Sequence, residues 1–512
     1  MAKILINAGA NIEARSYLGY TPIRNAVCSG NLELVKLFLK CDIGNINDVD
    51  SYGKSLLYIA CLQNNHDMVS LLLEMGAVVD QSDFNGGRTP LHIACSVGSR
   101  QIVSTLIKSK QCNLNGKTCP EGWTPLYWSV YVGQLEIVTM LLESCEVDVD
   151  LKSDDELSTP LYICVSNTMR MDILQKLMDH GANIDSKNGV NEWTCLQRAS
   201  FLGKKRIVSW LCDLGAAVET TNVSGHSALT LACDRNQLDV VDILLSHGAN
   251  ANTIHPSNGC MLLWDAVVSE KYELATTLLK YKADIHCAKI RINPREVVGE
   301  KNMAHLSLMH HACISQNLEI VKFLLNKGYD LGQRFEDGNS LLHFVTEVEY
   351  VEGIQALIMG GLSTLVENNM KETPLHIACR HGKVKAAKAL ILSDPTSCGC
   401  FNKFGHTPLH VAIRYSSSIH LALSFHDVGV DYSKFTVDES TVFHLLCGNI
   451  ELSKSLLSSD TEEANILKEL VMPKSSSQIS IYSVNKAGET PLHVACAAGN
   501  FDVISKYFLR RP

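Results

Sequence analysis

The sequence predicts an all-α solenoid of stacked helix-turn-helix units joined by short β-hairpin-like turns. Three observations carry that prediction. A seven-residue signature returns fourteen times, beginning at Thr21, Ser55, Thr89, Thr124, Thr159, Thr194, Ser227, Met261, Ser307, Ser340, Thr373, Thr407, Thr441 and Thr490. Most steps are 33 to 35 residues, the spacing of a repeated supersecondary unit. Each signature is followed by a segment whose apolar residues recur at three and four, as in QIVSTLIKS, LEIVTMLLES and LEIVKFLLNKG, which makes one buried helical stripe.

Each part of the unit has its own reason. Thr-Pro opens a helix, because Thr can cap it and Pro gives up an N–H that the first turn never uses. A Gly often closes that short helix, as at Gly98, Gly133, Gly203 and Gly382. The second helix ends on Gly-Ala or a near equivalent, at Gly76-Ala77, Gly181-Ala182 and Gly248-Ala249. A short polar run, frequently with Gly, leads to the next signature and suits a tight extended turn. One such helix pair cannot bury both of its apolar sides, so each leans on its neighbours.

Bulk composition fits a folded chain of this kind. Hydrophobic residues make up 46% of the 512 positions and charged residues 19%. The formal net charge of -9 disfavours nucleic acid, which calls for a basic stripe. No window reaches the length of apolar sequence that a membrane-spanning helix needs, and MAKILINAGANIEAR lacks the apolar core of a secretory signal. Of the 19 cysteines, seven (Cys61, Cys95, Cys233, Cys313, Cys379, Cys447, Cys496) share one signature position. That regularity marks small apolar filling and free thiols in a reducing, cytoplasmic compartment, not a disulfide scaffold.

The signature resembles that of the ankyrin repeat family. T-P-L-H-x-A stands unchanged at residues 89–94, 373–378, 407–412 and 490–495, and related forms cover nearly the whole chain. The resemblance implies stacked helix pairs, a concave face lined by first helices and turn tips, and a non-enzymatic binding role. It also implies that the histidines at the fourth signature position (His92, His310, His343, His376, His410, His444, His493) bond neighbouring turn backbone and hold the repeat spacing.

Two steps are long. The first divides the chain into an array over 1–287 (a partial repeat and eight full ones), an insertion loop at 288–304, and six repeats over 305–512. The second places extra residues within 459–484, where TEEANILKELVM could form a short amphipathic helix with Ile466, Leu467, Leu470 and Val471 on one side. Either insertion is tolerated surface length or a binding loop. The ends, AKILINAG at 2–9 and FDVISKYFLRRP at 501–512, read as pieces of second helices. Self-association there, or continuation into a longer array, is the expectation.

No catalytic motif is present, and no cofactor or metal is expected. Cys398, Cys400, His406 and His410 are zinc-capable in type, but His410 is taken by the signature and the first spacing is short. Candidate partner-binding residues come instead from positions that vary between repeats. Trp123 and Trp193 occupy the place just before Thr, which elsewhere holds Tyr20, Lys54, Arg88, His226, Glu372 or His406. A Trp there is either an interface anchor or a cover for the next turn. The places seven and eight beyond Thr vary too: Tyr131 with Val132, Asp234 with Arg235, Arg380 with His381, Arg414 with Tyr415. The last two pairs would make a cationic, partly aromatic patch suited to an acidic or phosphorylated peptide, or else plain solvated surface.

The expected function is therefore a non-catalytic scaffold or adaptor that binds other proteins or peptides. The alternatives are the regulatory or targeting region of a larger signalling, channel or ubiquitin-ligase protein, and a secreted effector acting in a host cytoplasm.

Overall fold

The computed structural model describes residues 9–11, 13–40, 45–144, 146–286, 307–335, 337–430, 436–459, 461–471 and 481–508. The insertion at 288–304 lies outside these residues, as do 2–8 and 509–512 of the two chain ends and 472–480 of the second insertion. Two compact units are present, Met1–Leu262 with Glu273–Ala283, and Leu263–Tyr272 with Asp284–Pro512.

In the first unit every signature opens a short helix and a second helix follows within a few residues. Pro90–Val97 is followed by Arg100–Lys108, Pro125–Val132 by Leu135–Leu142, and Ala228–Asp234 by Leu238–Ser246. The second unit repeats the pattern, with Leu308–Ile314 and Leu318–Asn326, then Pro374–Arg380 and Val384–Ser393. The Thr or Ser before each first helix stays extended, as at Thr89 (φ -86°, ψ 166°), and the next residue enters the helix. At Thr124 the hydroxyl accepts the N–H of Tyr127 at 3.1 Å, so one otherwise unsatisfied helix donor is paired. The expected hairpin-like turns are present only as single bridges among the described residues: Val49 with Ser55, Ile254 with Met261, and Arg334 with Ser340.

At His92, His343, His376 and His444 the fourth-position histidine ties its repeat to the next. His92 Nδ1 accepts the N–H of Thr89 at 3.2 Å. The ring proton is thereby assigned to Nε2, which lies 3.1 Å from the carbonyl oxygens of both Gly116 and Trp123 in the following turn. His343 reaches Glu372 O at 2.8 Å and His444 reaches Glu489 O at 3.1 Å in the same way. Other residues at this position find their own route across. Tyr58 donates to Asp83 Oδ2 at 3.0 Å, and Gln197 Nε2 donates to Thr220 O and His226 O at 2.8 and 2.9 Å.

Backbone bonds join successive turn tips within each unit. Phe84 N–H donates to Tyr52 O (2.9 Å), Cys119 to Gly86 (2.8 Å) and Asp154 to Glu121 (2.8 Å); Lys403 donates to Met370 (2.9 Å) in the second unit. The approach is close enough to dictate residue type. A Cβ on Gly122, whose φ is +67°, would fall 2.5 Å from the Asp154 nitrogen. At the opposite end of each pair, an Asn or Asp side chain accepts the backbone N–H one repeat on: Asn47 from Val78, Asp80 from Asn113, Asn115 from Asp148, Asp150 from Asn183.

The shared cysteine position is buried at Cys61, Cys95, Cys233, Cys313, Cys379 and Cys447 and exposed at Cys496; every described cysteine is a free thiol. Among the described residues no helix is long and apolar enough to cross a membrane.

The second insertion does contain a helix, Glu462–Val471, packed on Ile419–Leu423 and Ile450–Ser458. Its buried stripe is Ala464, Leu467 and Val471. Ile466, expected on that side, is 36% exposed instead, because the three-and-four spacing through Leu467 passes one residue to either side of it. Ile419–Leu423, the second helix of its repeat, has only five residues, and the extra helix supplies apolar cover beside it.

Candidate partner-binding surface

The variable positions are not scattered. In repeat after repeat the residue before Thr meets the residue eight further along, at the end of the first helix. The Trp123 and Tyr131 rings lie tilted with centres 4.8 Å apart, and Trp193 and Phe201 meet edge to face with centres 5.2 Å apart. His226 Nδ1 lies 3.8 Å from Asp234 Oδ2. Glu372 and Arg380 form an ion pair. His406 feels the positive charge of Arg414. A Thr or Ser cap, a first helix of seven or eight residues and a buried fourth residue recur in these repeats, while the pairs change from aromatic to acidic-basic to imidazole-containing.

Trp123 is the centre of a ring cluster. Besides Tyr131, it touches Tyr127 (5.1 Å) and Trp128 (5.0 Å), with the Arg88 guanidinium 4.9 Å above Trp128. Its indole N–H donates to Asp155 Oδ2 at 2.9 Å. Burial opposes ionisation of Asp155, but hydrogen bonds from Ser153, from the Glu156 N–H and from this indole outweigh it and hold the carboxyl below its ordinary value. Trp123 is half-buried, so it both covers the turn and leaves an edge to solvent; Tyr131 is 40% exposed. Beside Tyr131 opens a cleft of about 350 Å³ lined by Tyr162, Ser166, Asn167, Asn191 and Arg198 among others.

Trp193 is likewise half-buried. Its partner Phe201 carries the guanidinium of Arg235, reaching back from the next repeat, 4.1 Å from the ring centre. Sequence reasoning singled out Trp193 and Arg235 and missed Phe201, the ring between them.

The third group lies in the second unit. Arg380 and Arg414 each place a guanidinium 5.5 Å from the centre of the Tyr415 ring, so these three residues do come together. His381 is exposed beside them. Glu372 is buried against Arg380 and neutralises it, which leaves Arg414 as the exposed cation without an ion pair among the described residues. The patch is thus less cationic than its sequence reads. His406 is buried below it, and burial, then the Arg414 charge, push its imidazole pKa down, against the pull of Asp438. His410 is held by Thr407 through Nδ1, at 3.1 Å from the Thr407 nitrogen, as the signature requires. Among the described residues the only three metal-ligand side chains with converging donor atoms are His226, Asp234 and His255, a set that does not include Cys398, Cys400, His406 or His410.

Capped helix pairs, a cross-repeat fourth residue and a ribbon of variable pairs define a class of stacked-repeat protein. Family models for ankyrin repeats match residues 1–83, 78–153, 161–255, 215–289 and 342–436 (three-copy form), 309–358 (many copies) and 487–511 (single repeat). The chain belongs to the ankyrin repeat family. It is 25% identical over 448 residues to the human transient receptor potential cation channel subfamily A member 1, covering 80% of this chain and 36% of the channel. It is 27% identical over 222 residues to a putative ankyrin repeat protein of fowlpox virus (strain NVSL), covering 39% of this chain and 62% of the viral protein. The chain therefore spans about a third of the channel's length and under two thirds of the viral protein's. The solved ankyrin repeat domain of Bcl-3, described as a unique member of the IkappaB protein family, aligns at 27% identity over 44% of this chain and 98% of its own, with a TM-score of 0.40.

Proposed function

We propose that this chain is a non-catalytic, cytoplasmic protein-interaction module that holds partner proteins or peptides along its ribbon of tip-and-helix pairs. The observation that carries the reading is the contrast within each repeat. A capping Thr or Ser and a buried fourth residue recur along the array, while the paired positions eight apart differ in chemistry from repeat to repeat and reach solvent at Trp123, Tyr131, Trp193, Arg380 and Arg414. Trp, Tyr and Arg are the side chains that anchor interfaces best, and they occupy these pairs in the Thr124, Thr194, Thr373 and Thr407 repeats. At Arg414 and Tyr415 the exposed cation and ring suit an acidic or phosphorylated segment.

The test is quantitative capture of partners by the full chain and by a variant carrying Tyr131→Ala, Arg414→Ala and Tyr415→Ala. All three side chains are exposed, so circular dichroism should be unchanged. Loss of a stoichiometric partner from the folded variant supports the reading; equal capture by both overturns it for this surface.

A second reading is that the array serves as the regulatory region of a larger protein. Its support is the match of 80% of this chain to part of a cation channel. Expression of the full-length transcript's product with an epitope tag would decide it: a product much larger than 512 residues favours this reading.

A further inference from the structure

One pair in the ribbon carries donor chemistry that the others lack. His226 precedes Ser227, Asp234 ends the helix Ala228–Asp234, and His255 stands on the next turn tip. His255 Nε2 lies 2.8 Å from Asp234 Oδ1, and His226 Nδ1 lies 3.8 Å from Asp234 Oδ2. The two imidazoles meet edge to face with centres 5.1 Å apart. All three donor atoms fall within 4.8 Å of one another. The imidazoles are largely buried, at 16% and 10% side-chain exposure, while Asp234 at 43% opens the group to water.

We propose that His226, Asp234 and His255 form a binding site for a divalent transition-metal ion of the zinc class, clamping two successive turn tips. Two imidazole nitrogens and one carboxylate oxygen, with a fourth position open to water, are a donor set for zinc. Metal-to-donor bonds near 2 Å put tetrahedral ligands ~3.3 Å apart. The 2.8 and 3.8 Å contacts are made to the two different oxygens of Asp234, so closing on one ion takes a turn of that exposed side chain and an approach of the two imidazoles. Among the described residues no lysine or arginine pairs with Asp234, so no cation has to be displaced.

The surroundings fit the role. With metal on His226 Nδ1, the ring proton sits on Nε2, 3.5 Å from Ser257 Oγ, an orienting acceptor. His255 gives up something: its Nδ1 accepts the Ser257 N–H at 3.3 Å, and metal on Nε2 moves the ring proton to that side. The 2.8 Å hydrogen bond from His255 Nε2 to Asp234 and the long one from Ser257 give way to three metal–ligand bonds.

Cobalt(II) is the probe, because its visible spectrum separates nitrogen and oxygen ligation from thiolate ligation by the chain's 19 cysteines. The full chain should bind one equivalent with tetrahedral bands and no sulfur charge-transfer band. Zinc should displace it and raise the thermal midpoint. His255→Ala and, separately, Asp234→Asn should each weaken binding by at least about tenfold while circular dichroism stays unchanged. Asp234→Asn preserves size at an exposed site, so it remains decisive if His255→Ala does not fold. A thiolate-type spectrum, no saturable equivalent, or equal affinity in the Asp234→Asn chain overturns the proposal.

Discussion

His376 Nε2 donates to the backbone carbonyl of His406, 3.0 Å away in the next repeat, while its Nδ1 accepts the N–H of Thr373 at 3.1 Å. Both ring nitrogens are thereby committed in the neutral form. Protonation would put a second N–H against the Thr373 donor. Burial adds to the cost and pushes the pKa of His376 down to about 4, as it does for His92 and His310.

Acid should therefore loosen the stack. Above the ordinary histidine value of 6.5 these imidazoles are neutral in folded and unfolded chains alike, so their contribution is complete and flat. As pH falls from 6.5 towards 4, only the unfolded chain takes up the protons, and stability drops; below about 4 the loss is complete. Between pH 7 and pH 5 the expected loss is roughly 2 kcal/mol per imidazole, measurable as a shift in urea midpoint.

Gln197 shows how to remove that sensitivity. Its Oε1 accepts Thr194 N–H at 2.9 Å and its Nε2 donates to two carbonyls of the next turn, the bonds histidine makes elsewhere. His376→Gln should fold and should lose about 2 kcal/mol less than the parent between pH 7 and pH 5. His376→Ala leaves a buried N–H and a buried carbonyl unpaired and should cost about 2–4 kcal/mol at any pH.

Arg380 and Arg414 look alike in sequence and should behave differently. Removing Arg380 strands the buried Glu372 carboxylate, so Arg380→Ala should cost about 2–3 kcal/mol in thermal or urea unfolding. Arg414→Ala, at an exposed site without an ion pair, should change stability by less than about 0.5 kcal/mol. A partner that needs the free cation will register the second substitution and not depend on the first.

Thiol labelling should follow burial. Burial raises the thiol pKa of Cys95, Cys313 and Cys447 to about 12, and Cys61 and Cys379 are raised as well, so these stay protonated and shielded. Cys119 and Cys496 are exposed. Brief treatment with iodoacetamide, read by peptide mass spectrometry, should modify those two first.

The insertion helix offers a register check. Leu467→Ala should cost about 2–4 kcal/mol, whereas Ile466→Ala should cost under about 1 kcal/mol, since Leu467 is buried and Ile466 is not.

The repeat was plain in the residues because its constraints are local. Thr-Pro caps, fourth-position histidines and buried cysteines each obey short-range rules that survive repetition. The surface was harder to read. Trp123 and Tyr131, or Glu372 and Arg380, were visible as variable positions, but their contact runs between a turn and a helix end, which no helical or strand periodicity encodes. The constant eight-residue separation was the available signal. His255 stands where other turns hold Asp83, Thr118, Ser153 or Asn188 and closes its turn with the same backbone bond, so only its residue type marked it out. Ile466 was misplaced because a window holding four apolar residues admits two stripes, and the neighbouring short helix Ile419–Leu423 decides between them.

The amide-to-carbonyl bonds that link neighbouring turn tips have a further effect. From Phe84 to Gly189, and again at Asn369 and Lys403, a tip is tethered to the one before it at about 3 Å, which fixes the spacing between successive variable pairs there. The row of tips is a ruler with fixed graduations. A ligand whose side chains fall at another pitch meets one mark and misses the next, so length is discriminated alongside chemistry.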